Sequence, residues 1–258
     1  MITYNEITKC HSCNLRQSFE NKYSNTNKYH SFTFYYEPKD VKKSKYIIVM
    51  QNPGLPKNWE NKPEYQELSQ IKGNRFISTS KKYLIEWLKE ENMNFCKSFF
   101  AVLREYGLIQ FNDFDEYLKN NFLYDFIVTD LVKCRAGTEE VDSENIKTCS
   151  NRYLFNEIEH YGKNKLVFAF SSRTWEFLYS KFITEQNNQN KKVSNAHGKL
   201  FPSKIANTYF IPLAHFSQRQ FNNYLRDSYF YYLKEGLKDY KKISPHNKSL
   251  QRMAYSLR

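Results

Sequence analysis

The chain has 258 residues, of which 40% are hydrophobic and 17% aromatic; this length suits a single domain, and this composition excludes wholesale disorder. The sequence contains no run of about 18 apolar residues, which excludes a transmembrane helix, and its first residues lack the basic-then-apolar pattern of a secretory signal, so we expect a cytoplasmic protein. The formal net charge of +12 suits a nucleic-acid partner, although AT-rich coding also produces sequences this rich in Lys and Asn.

Four short apolar runs predict buried strands, because they are rich in β-branched or aromatic residues; they lie at 44–50, 124–132, 166–170 and 209–214. Helices are predicted at about 78–92, 96–106, after 112, 143–162, after 171 and 219–240, and a short hairpin is predicted before the last strand. Residues suited to cap three of these helices are Ser78 or Ser80, Asp142 or Ser143, and Ser171 or Ser172.

The alternation of strands and helices predicts an α/β fold with three layers, α/β/α, around a central four-stranded parallel sheet. We expect one domain over residues 1–243 and a polar tail over 244–258. Parallel sheets of this kind bind ligands beyond the carboxyl ends of their strands. The polar residues expected at that edge are Asn52, Asp130, Ser171 and His215.

The five cysteines are Cys10, Cys13, Cys96, Cys134 and Cys149. A cytosolic chain is not expected to carry structural disulfides. Cys10 and Cys13 form a C-x-x-C pair in a polar segment before the first strand, which favours metal or cluster ligation over thioredoxin-like chemistry. Four thiolates can hold zinc or an iron–sulfur cluster, and their spacing alone does not separate the two. Cys96 lies in an apolar helical pattern and is predicted to be a core residue.

Several short blocks, in their order along the chain, resemble the uracil-DNA glycosylase superfamily, and most closely its iron–sulfur branch, family 4. The blocks that carry the resemblance are Cys10-x-x-Cys13 with Leu15-Arg16, residues 73–77 (GNRFI, similar to G-x-P-F-V), 129–135 (TDLVKCR, similar to T-N-x-x-K-C-R), and 214–217 (AHFS, similar to the H-P-S block). Cys149 follows Cys134 after fourteen intervening residues, as the fourth ligand of that branch does. The resemblance covers about residues 10–235.

This resemblance implies a 4Fe–4S cluster on Cys10, Cys13, Cys134 and Cys149, with zinc as the alternative. The implied role of the cluster is structural, since it ties the N-terminal segment to the second strand. The implied activity is that of a monofunctional DNA glycosylase, which flips a base out of duplex or single-stranded DNA, hydrolyses its N-glycosidic bond and leaves an abasic site. We expect a monomer that needs no membrane, and no lyase activity, because no lysine stands at the catalytic position.

The resemblance also assigns roles to individual residues. Asn52 and His215 become the catalytic pair: Asn52 orients a water against the sugar C1′, and a neutral His215 donates an N–H to O2 of the departing base. The base-binding residues are Gln51, Asp130 and Phe76, whose ring stacks on the base. The DNA-binding residues are Ser217, Gln218 and Arg219, which enter the minor groove, and His197, which contacts phosphate.

Two positions depart from the iron–sulfur branch. Residues 50–54, MQNPG, replace its usual G-E-A-P-G, and the Asn52 in this block resembles the G-I-N-P-G block of the mismatch-specific thymine and uracil glycosylases. Phe216 replaces the usual proline of the H-P-S block. An amide has no useful basicity, so Asn52 acts by orienting water against an oxocarbenium-like sugar.

Asp130 is the more informative departure, because the family has Asn at this position. The Asn amide donates to O4 of uracil and accepts from N3–H, whereas an ionised Asp only accepts. An ionised Asp130 therefore repels O4 of uracil and accepts a hydrogen bond from the N4 amino group of cytosine. A mismatched buried polar contact costs about 1–3 kcal/mol, enough to reverse the preference between the two bases.

Asp130 therefore predicts a modified cytosine as the target, such as a hydroxymethylated or glucosylated base in phage DNA, and hence a role in antiviral defence. The 21 residues between Gly54 and Phe76 have the length to shape a pocket for a 5-substituent. Two alternatives stay open. A protonated Asp130 restores uracil recognition and makes the protein a uracil-DNA glycosylase of base-excision repair. The alternative from another class is a non-catalytic iron–sulfur DNA-binding protein.

Overall fold

The computed structural model describes residues 6–7, 10, 12–13, 39–51, 73–90, 93–134, 141–184, 187–215 and 228–243. Their strands are β1 (Tyr46–Met50), β2 (Phe126–Asp130), β3 (Leu166–Phe170), β4 (Phe201–Pro202) and β5 (Tyr209–Leu213). They form one sheet in the spatial order β2–β1–β3–β5–β4. Each neighbouring pair runs parallel except β4 and β5, which run antiparallel.

The predicted α/β class is confirmed, and the predicted parallel sheet is corrected in one respect. The four predicted strands are present and parallel, but the two residues of β4 extend the sheet at one edge and make it mixed. Within residues 187–215, β4 pairs with the last strand itself, so the separate hairpin expected before that strand is replaced by a β4–β5 pair. A two-residue strand carries too little alternation to be recognised as a strand from sequence.

The helices of the described ranges are α1 (Gly73–Glu90), α2 (Met93–Glu105), α3 (Phe114–Asn120), α4 (Phe122–Asp125), α5 (Ser143–Cys149), α6 (Phe155–Tyr161), α7 (Ser172–Phe182), α8 (Val193–Ala196) and α9 (Tyr229–Ile243). A π-helical segment, Ser150–Leu154, joins α5 to α6. Among the helices of these ranges, none is long and apolar enough to span a membrane. The predicted tail over 244–258 lies outside the described residues.

Side chains of β1 alternate between the two faces of the sheet. Tyr46, Ile48 and Met50 join one hydrophobic core, and Ile47 and Val49 join another on the opposite face. The first core also contains residues of α1, α2 and α9, and the second contains residues of α5, α6 and α7. We call these two faces the α1 side and the α7 side. Because helices cover both faces, the sheet is the middle of three layers.

Capping residues explain several helix boundaries. Asp142 is the N-cap of α5, since its side chain accepts the backbone N–H of Asn145 at 2.7 Å. Gly162 ends α6, as predicted. The prediction for α1 was wrong at its start, because the helix begins at Gly73 and both expected caps, Ser78 and Ser80, lie within it.

The turn from β3 into α7 is strained at Ser171. This residue is the N-cap, and its hydroxyl accepts the backbone N–H of Thr174 at 3.2 Å. Its own N–H donates to the carbonyl of Leu213 on β5 at 3.0 Å. Its backbone has φ 90° and ψ 154°, a region that residues with a side chain rarely adopt and that costs about 1–3 kcal/mol. Ser171 thus combines a favourable cap with an unfavourable backbone conformation.

Substitution of Ser171 should separate these two effects. Ser171→Gly relieves the backbone strain and loses only a few tenths of a kcal/mol as a cap, so its free energy of unfolding should equal or exceed that of the wild type. Ser171→Ala keeps the strain and loses the cap, and should lower the free energy of unfolding by about 1–2 kcal/mol. Urea denaturation measures both, with Ser172→Ala as the neighbouring control. Equal stabilities of the Gly and Ala variants would contradict the strain.

Candidate functional site

The sheet order places four polar residues in a row along its carboxyl edge. Asp130 ends β2, Gln51 directly follows β1, Ser171 directly follows β3, and His215 lies two residues after β5. Neighbouring strands lie about 4.8 Å apart, so the row spans roughly 15 Å. The catalytic candidate Asn52 follows Gln51 in the chain but lies outside the described residues.

The carboxyl end of β1 is a topological switch point. The helix that follows β1 in the described chain, α1, packs on the α1 side, whereas α5 and α7, which follow β2 and β3, pack on the α7 side. Chains that leave neighbouring parallel strands toward opposite faces open a crevice between them, where α/β proteins bind ligands. Asp130 and Ser171 stand on either side of this crevice.

Asp130 is almost completely buried, with 1% of its surface exposed. Its backbone neighbours are bonded to β1: Leu131 N–H donates to the carbonyl of Met50 at 2.8 Å, and Val132 N–H donates to that of Gln51 at 2.9 Å. Its Oδ1 atom has no hydrogen-bond partner within the described residues. A buried, unpaired carboxylate oxygen is costly, so this atom calls for a ligand or a proton.

Asp130 changes its protonation state near neutral pH. Burial raises the pKa of Asp130 from its ordinary value to about 7; the positive charge of Lys133 opposes this shift, and the negative charge of Glu157 adds to it. At pH 6 the carboxyl is mostly protonated and can donate as well as accept, and at pH 8 it is mostly ionised and only accepts. Its hydrogen-bonding character therefore changes within the physiological range.

Lys133 and Glu157 form a buried ion pair beside Asp130. Lys133, which is 3% exposed, places Nζ 2.6 Å from Glu157 Oε2. Thr129 donates its hydroxyl to the same oxygen at 2.5 Å and is also bonded to Lys133 Nζ. Breaking such a pair leaves an uncompensated buried charge. The ammonium of Lys133 is thus held in a buried ion pair.

His215 has the protonation state that its predicted role requires. The residue is half-buried at the end of a described segment. Burial lowers the pKa of His215 to about 4, so the imidazole is neutral at pH 7. A neutral imidazole has one N–H with which it can donate to a developing oxyanion. The catalytic role itself stays a prediction.

His197 is placed differently from the predicted phosphate contact. It is 4% exposed, and its Nδ1 accepts the backbone N–H of Ala214 at 3.0 Å. Because Nδ1 accepts, the proton of the neutral ring resides on Nε2, which donates to the carbonyl of Tyr229 at 3.2 Å. Both ring nitrogens are engaged inside the protein, which favours a structural role over contact with phosphate.

The other predicted site residues lie in or next to segments outside the described ranges. Asn52, Ser217, Gln218 and Arg219 lie outside the described residues. Phe76 belongs to the first turns of α1, but its side chain is not among those described. The carbonyl of Gln51 is bonded to Val132, so a contact from Gln51 to a base falls to its side-chain amide or its N–H.

The four predicted cluster ligands share the α7 side of the sheet. Cys134 and Cys149 are buried in its core, and the half-buried Cys10 and Cys13 pack against it. Lys133 N–H donates to Cys149 Sγ at 3.3 Å, the kind of bond that a metal-bound sulfur accepts. As placed, no three His, Cys, Asp or Glu side chains of the described ranges form a group that could hold a metal ion. The donor chemistry fits a cluster, while the arrangement of the sulfurs falls short of one. Cys96 is buried on the α1 side, as expected of a core residue.

Residues of the π-helical segment anchor the C-x-x-C region. Arg152 Nη1 donates to Ser12 Oγ at 2.7 Å, and Tyr153 donates its hydroxyl to the carbonyl of Glu6 at 3.1 Å. Burial would raise the pKa of Cys10, but hydrogen bonds with Tyr153 and Ser12 and the charge of Arg152 bring it below its ordinary value. The sequence analysis missed Arg152 and Tyr153, since a π-helical insertion leaves no recognisable pattern.

Comparison with known proteins adds no relative to this picture. No protein-family model matches the chain, and no curated protein matches its sequence. Function is therefore inferred from the chemistry of the site and from the resemblance of its short blocks.

The raised pKa of Asp130 should appear as a pH dependence of stability. Burial destabilises the ionised carboxyl of Asp130 only in the folded state. The contribution of Asp130 to the free energy of unfolding is therefore fully present below about pH 4 and is lost as pH rises to about 7. Asp130→Asn abolishes this loss. The stability of the variant relative to the wild type should therefore rise by up to about 1.4 kcal/mol per pH unit between these limits and level off above pH 7.

Urea denaturation at half-unit steps from pH 4 to pH 8.5 measures this difference. Asp239→Asn is the control, because Asp239 forms an exposed surface pair with Lys242. A stability difference between Asp130→Asn and wild type that stays constant across this range would show that the carboxyl of Asp130 titrates normally.

Proposed function

We propose that this protein is a monofunctional DNA glycosylase that binds a flipped-out base at the carboxyl edge of its sheet. The observation that carries the proposal is Asp130, a buried carboxyl with an oxygen left unpaired among the described residues, at a switch point where α/β proteins bind ligands. A flat heterocycle with a polar edge suits this group, since it can pair with Asp130 while its faces contact apolar side chains.

Membership of the uracil-DNA glycosylase superfamily, in or near its iron–sulfur branch, is part of this proposal. Two of the blocks that carry the resemblance, 129–135 and 214–217, begin at the carboxyl ends of β2 and β5. The strand order brings these ends to one edge of one sheet, on either side of β1 and β3. Blocks far apart in the sequence thus supply residues to one edge, as a shared site requires.

The proposed reaction is hydrolysis at the sugar C1′. The bond from C1′ to the base nitrogen breaks, and its electron pair leaves with the base. A water oxygen bonds to C1′, and the proton that it loses neutralises the departing base. Asn52 orients this water, and the neutral His215 donates an N–H to the oxygen of the base on which negative charge develops.

The charge state of Asp130 decides which base pairs with it. Ionised Asp130 accepts the N4 amino group of a cytosine and opposes O4 of uracil, whereas protonated Asp130 donates to O4. Removal of unmodified cytosine would destroy the genome of the host. We therefore infer a modified cytosine, such as a hydroxymethylated or glucosylated base of phage DNA, as the substrate at neutral to alkaline pH.

A second candidate, a uracil-DNA glycosylase of base-excision repair, is favoured by one observation. Burial raises the pKa of Asp130 to about 7, so a large fraction of the protein carries the protonated form at neutral pH. That form presents the donor that uracil O4 requires. The two candidates share one chemistry and differ only in the proton on this carboxyl.

Base release from defined oligonucleotides tests the proposal. Substrates that contain uracil, cytosine, 5-hydroxymethylcytosine or its glucosylated form are incubated in single-stranded and duplex form at pH 6 and pH 8.5, and abasic sites are cleaved with alkali. Release of modified cytosine should increase on the order of tenfold from pH 6 to pH 8.5, because ionisation removes a mismatch of about 1–3 kcal/mol. Uracil release should change in the opposite direction.

Asp130→Asn is the matched variant for this experiment, because it keeps the size of the side chain and has no titrating group. It should act on uracil equally at both pH values and lose action on modified cytosine. Asn52→Ala should keep DNA binding and lose base release. Wild-type protein that binds these DNAs and releases no base would overturn the glycosylase and establish a non-catalytic DNA-binding protein.

We further propose that Cys10, Cys13, Cys134 and Cys149 hold a 4Fe–4S cluster. When bound, the cluster supplies a cross-link between the N-terminal segment and the end of β2. Support comes from the four cysteines on one side of the sheet and from the N–H that Lys133 donates to Cys149. Zinc is the alternative occupant of such a site.

Anaerobic purification distinguishes the two metals. The protein should be brown, with broad visible absorption and stoichiometric iron and sulfide. Cys134→Ser should lose the iron, whereas Cys96→Ser should retain it, because Cys96 is buried on the opposite side of the sheet. A colourless protein with one zinc per chain would replace the cluster by zinc.

A further inference from the structure

The last residues of β5 lie beyond the reach of strand β4. The two strands pair only between Phe201 and Phe210 and between Pro202 and Tyr209. Further along, the loop after α8 covers the same edge, where Gly198 N–H donates to the carbonyl of Pro212 at 2.9 Å. The edge of β5 is thus completed by a loop instead of a strand.

Ala214, the residue before His215, is held by two side chains. Its N–H donates to His197 Nδ1 at 3.0 Å, and its carbonyl accepts the hydroxyl of Tyr229 at 2.7 Å. The N–H and C=O of one residue point to the same side of an extended chain, so His197 and Tyr229 occupy the place of the missing neighbouring strand. Both backbone groups of Ala214 are therefore satisfied in a buried position.

His197 and Tyr229 are also bonded to each other. His197 Nε2 donates to the Tyr229 carbonyl at 3.2 Å, and the two rings pack edge to face with centroids 4.2 Å apart. Three residues from three different elements, the loop after α8, the end of β5 and the start of α9, thus form a closed set of hydrogen bonds. We call this set the Ala214 clamp.

Two close glycine contacts leave the clamp little freedom to shift. A Cβ atom at Gly198, whose φ is +75°, would lie 2.4 Å from the carbonyl carbon of Tyr232, and one at Gly236 would lie 1.9 Å from the oxygen of Gly198. Backbone of α9 therefore packs directly on backbone of the loop. Compact packing of this kind resists small displacements.

We propose that His197 and Tyr229 are positioning residues, which hold Ala214 and thereby set the place and direction of the His215 imidazole. The part of this inference that concerns catalysis rests on the proposed glycosylase function. A displacement of about 1 Å at a reacting centre can reduce a rate on the order of a hundredfold. Looser control of His215 should therefore lower kcat and leave substrate binding largely unchanged.

Tyr229→Phe removes one hydrogen bond of the clamp and keeps the ring. Tyr46→Phe is the matched control. Tyr46 is also buried, and it also donates its hydroxyl to a backbone carbonyl, that of Leu108, at 2.7 Å. It differs in place, because it begins β1, at the amino ends of the strands and away from the site. Both variants should lose thermal stability to a similar extent. Only Tyr229→Phe should lower kcat, on the order of tenfold, with KM within about twofold of the wild type. Equal effects of both variants on kcat would overturn the positioning role.

His197→Asn and His197→Leu extend the test to the other side of the clamp. The Asn oxygen can still accept from Ala214 N–H, whereas Leu cannot, so Asn should retain more of kcat than Leu at equal protein stability. Asn and Leu variants with the same kcat would contradict the proposal.

NMR of protein labelled with 15N-histidine tests the clamp without any activity. Ring signals of His215, assigned with a His215→Gln variant, should shift in Tyr229→Phe and stay in place in Tyr46→Phe. Shifted His215 signals together with no base release by the wild type would support the clamp and reject the glycosylase. Unchanged His215 signals in Tyr229→Phe would overturn the clamp, whatever the activity.

Discussion

Parallel pairing of β1 with both β2 and β3 is the constraint on which the site depends. Parallel strands align their carboxyl ends, and the register sets Met50 beside Asp130 and Val49 beside Ala169. Residues more than a hundred positions apart along the chain thus reach one edge. The polar row at this edge follows from hydrogen bonds of the backbone, and the chemistry of the row follows from which side chains occupy it.

Burial of this edge then shifts the pKa of Asp130. Lys133 lies close enough to lower the pKa of Asp130, but its ammonium is already committed to Glu157, whose charge acts in the opposite direction. A nearby cation therefore compensates only part of the cost of burying Asp130. The net outcome is a carboxyl poised between two hydrogen-bonding states, whereas a directly paired aspartate would stay ionised.

Local signals in the sequence predicted the parts of the fold that depend on local chemistry. The apolar runs of β1 and β3, the Asp142 cap and the end of α6 at Gly162 all agree with the structure. The start of α1 did not, because the serine-rich run 78–80 suggested a cap where the helix already continues. Such a run has the same composition at a helix start and within a helix, and only tertiary packing separates the two cases.

The site residues also divide into those that local sequence predicts and those that depend on tertiary contacts. Asp130 and His215 were predicted because they lie in short blocks, 129–135 and 214–217, near the ends of apolar runs, and such blocks are visible in one stretch of sequence. The structural roles of His197 and Tyr229 depend on contacts between segments 17 and 15 residues distant from Ala214, and no local pattern records them. Ser171 likewise has a positive φ and donates its N–H to β5, and serine itself gives no indication of either feature.

The hydrogen bond from Tyr229 to Ala214 also has an evolutionary consequence. It joins two residues 15 positions apart and so closes the intervening chain at its base. Doubling the length of a closed loop costs only about 0.6 kcal/mol. Changes in the length of the chain between His215 and Tyr229 can therefore accumulate at little cost in free energy to the sheet edge.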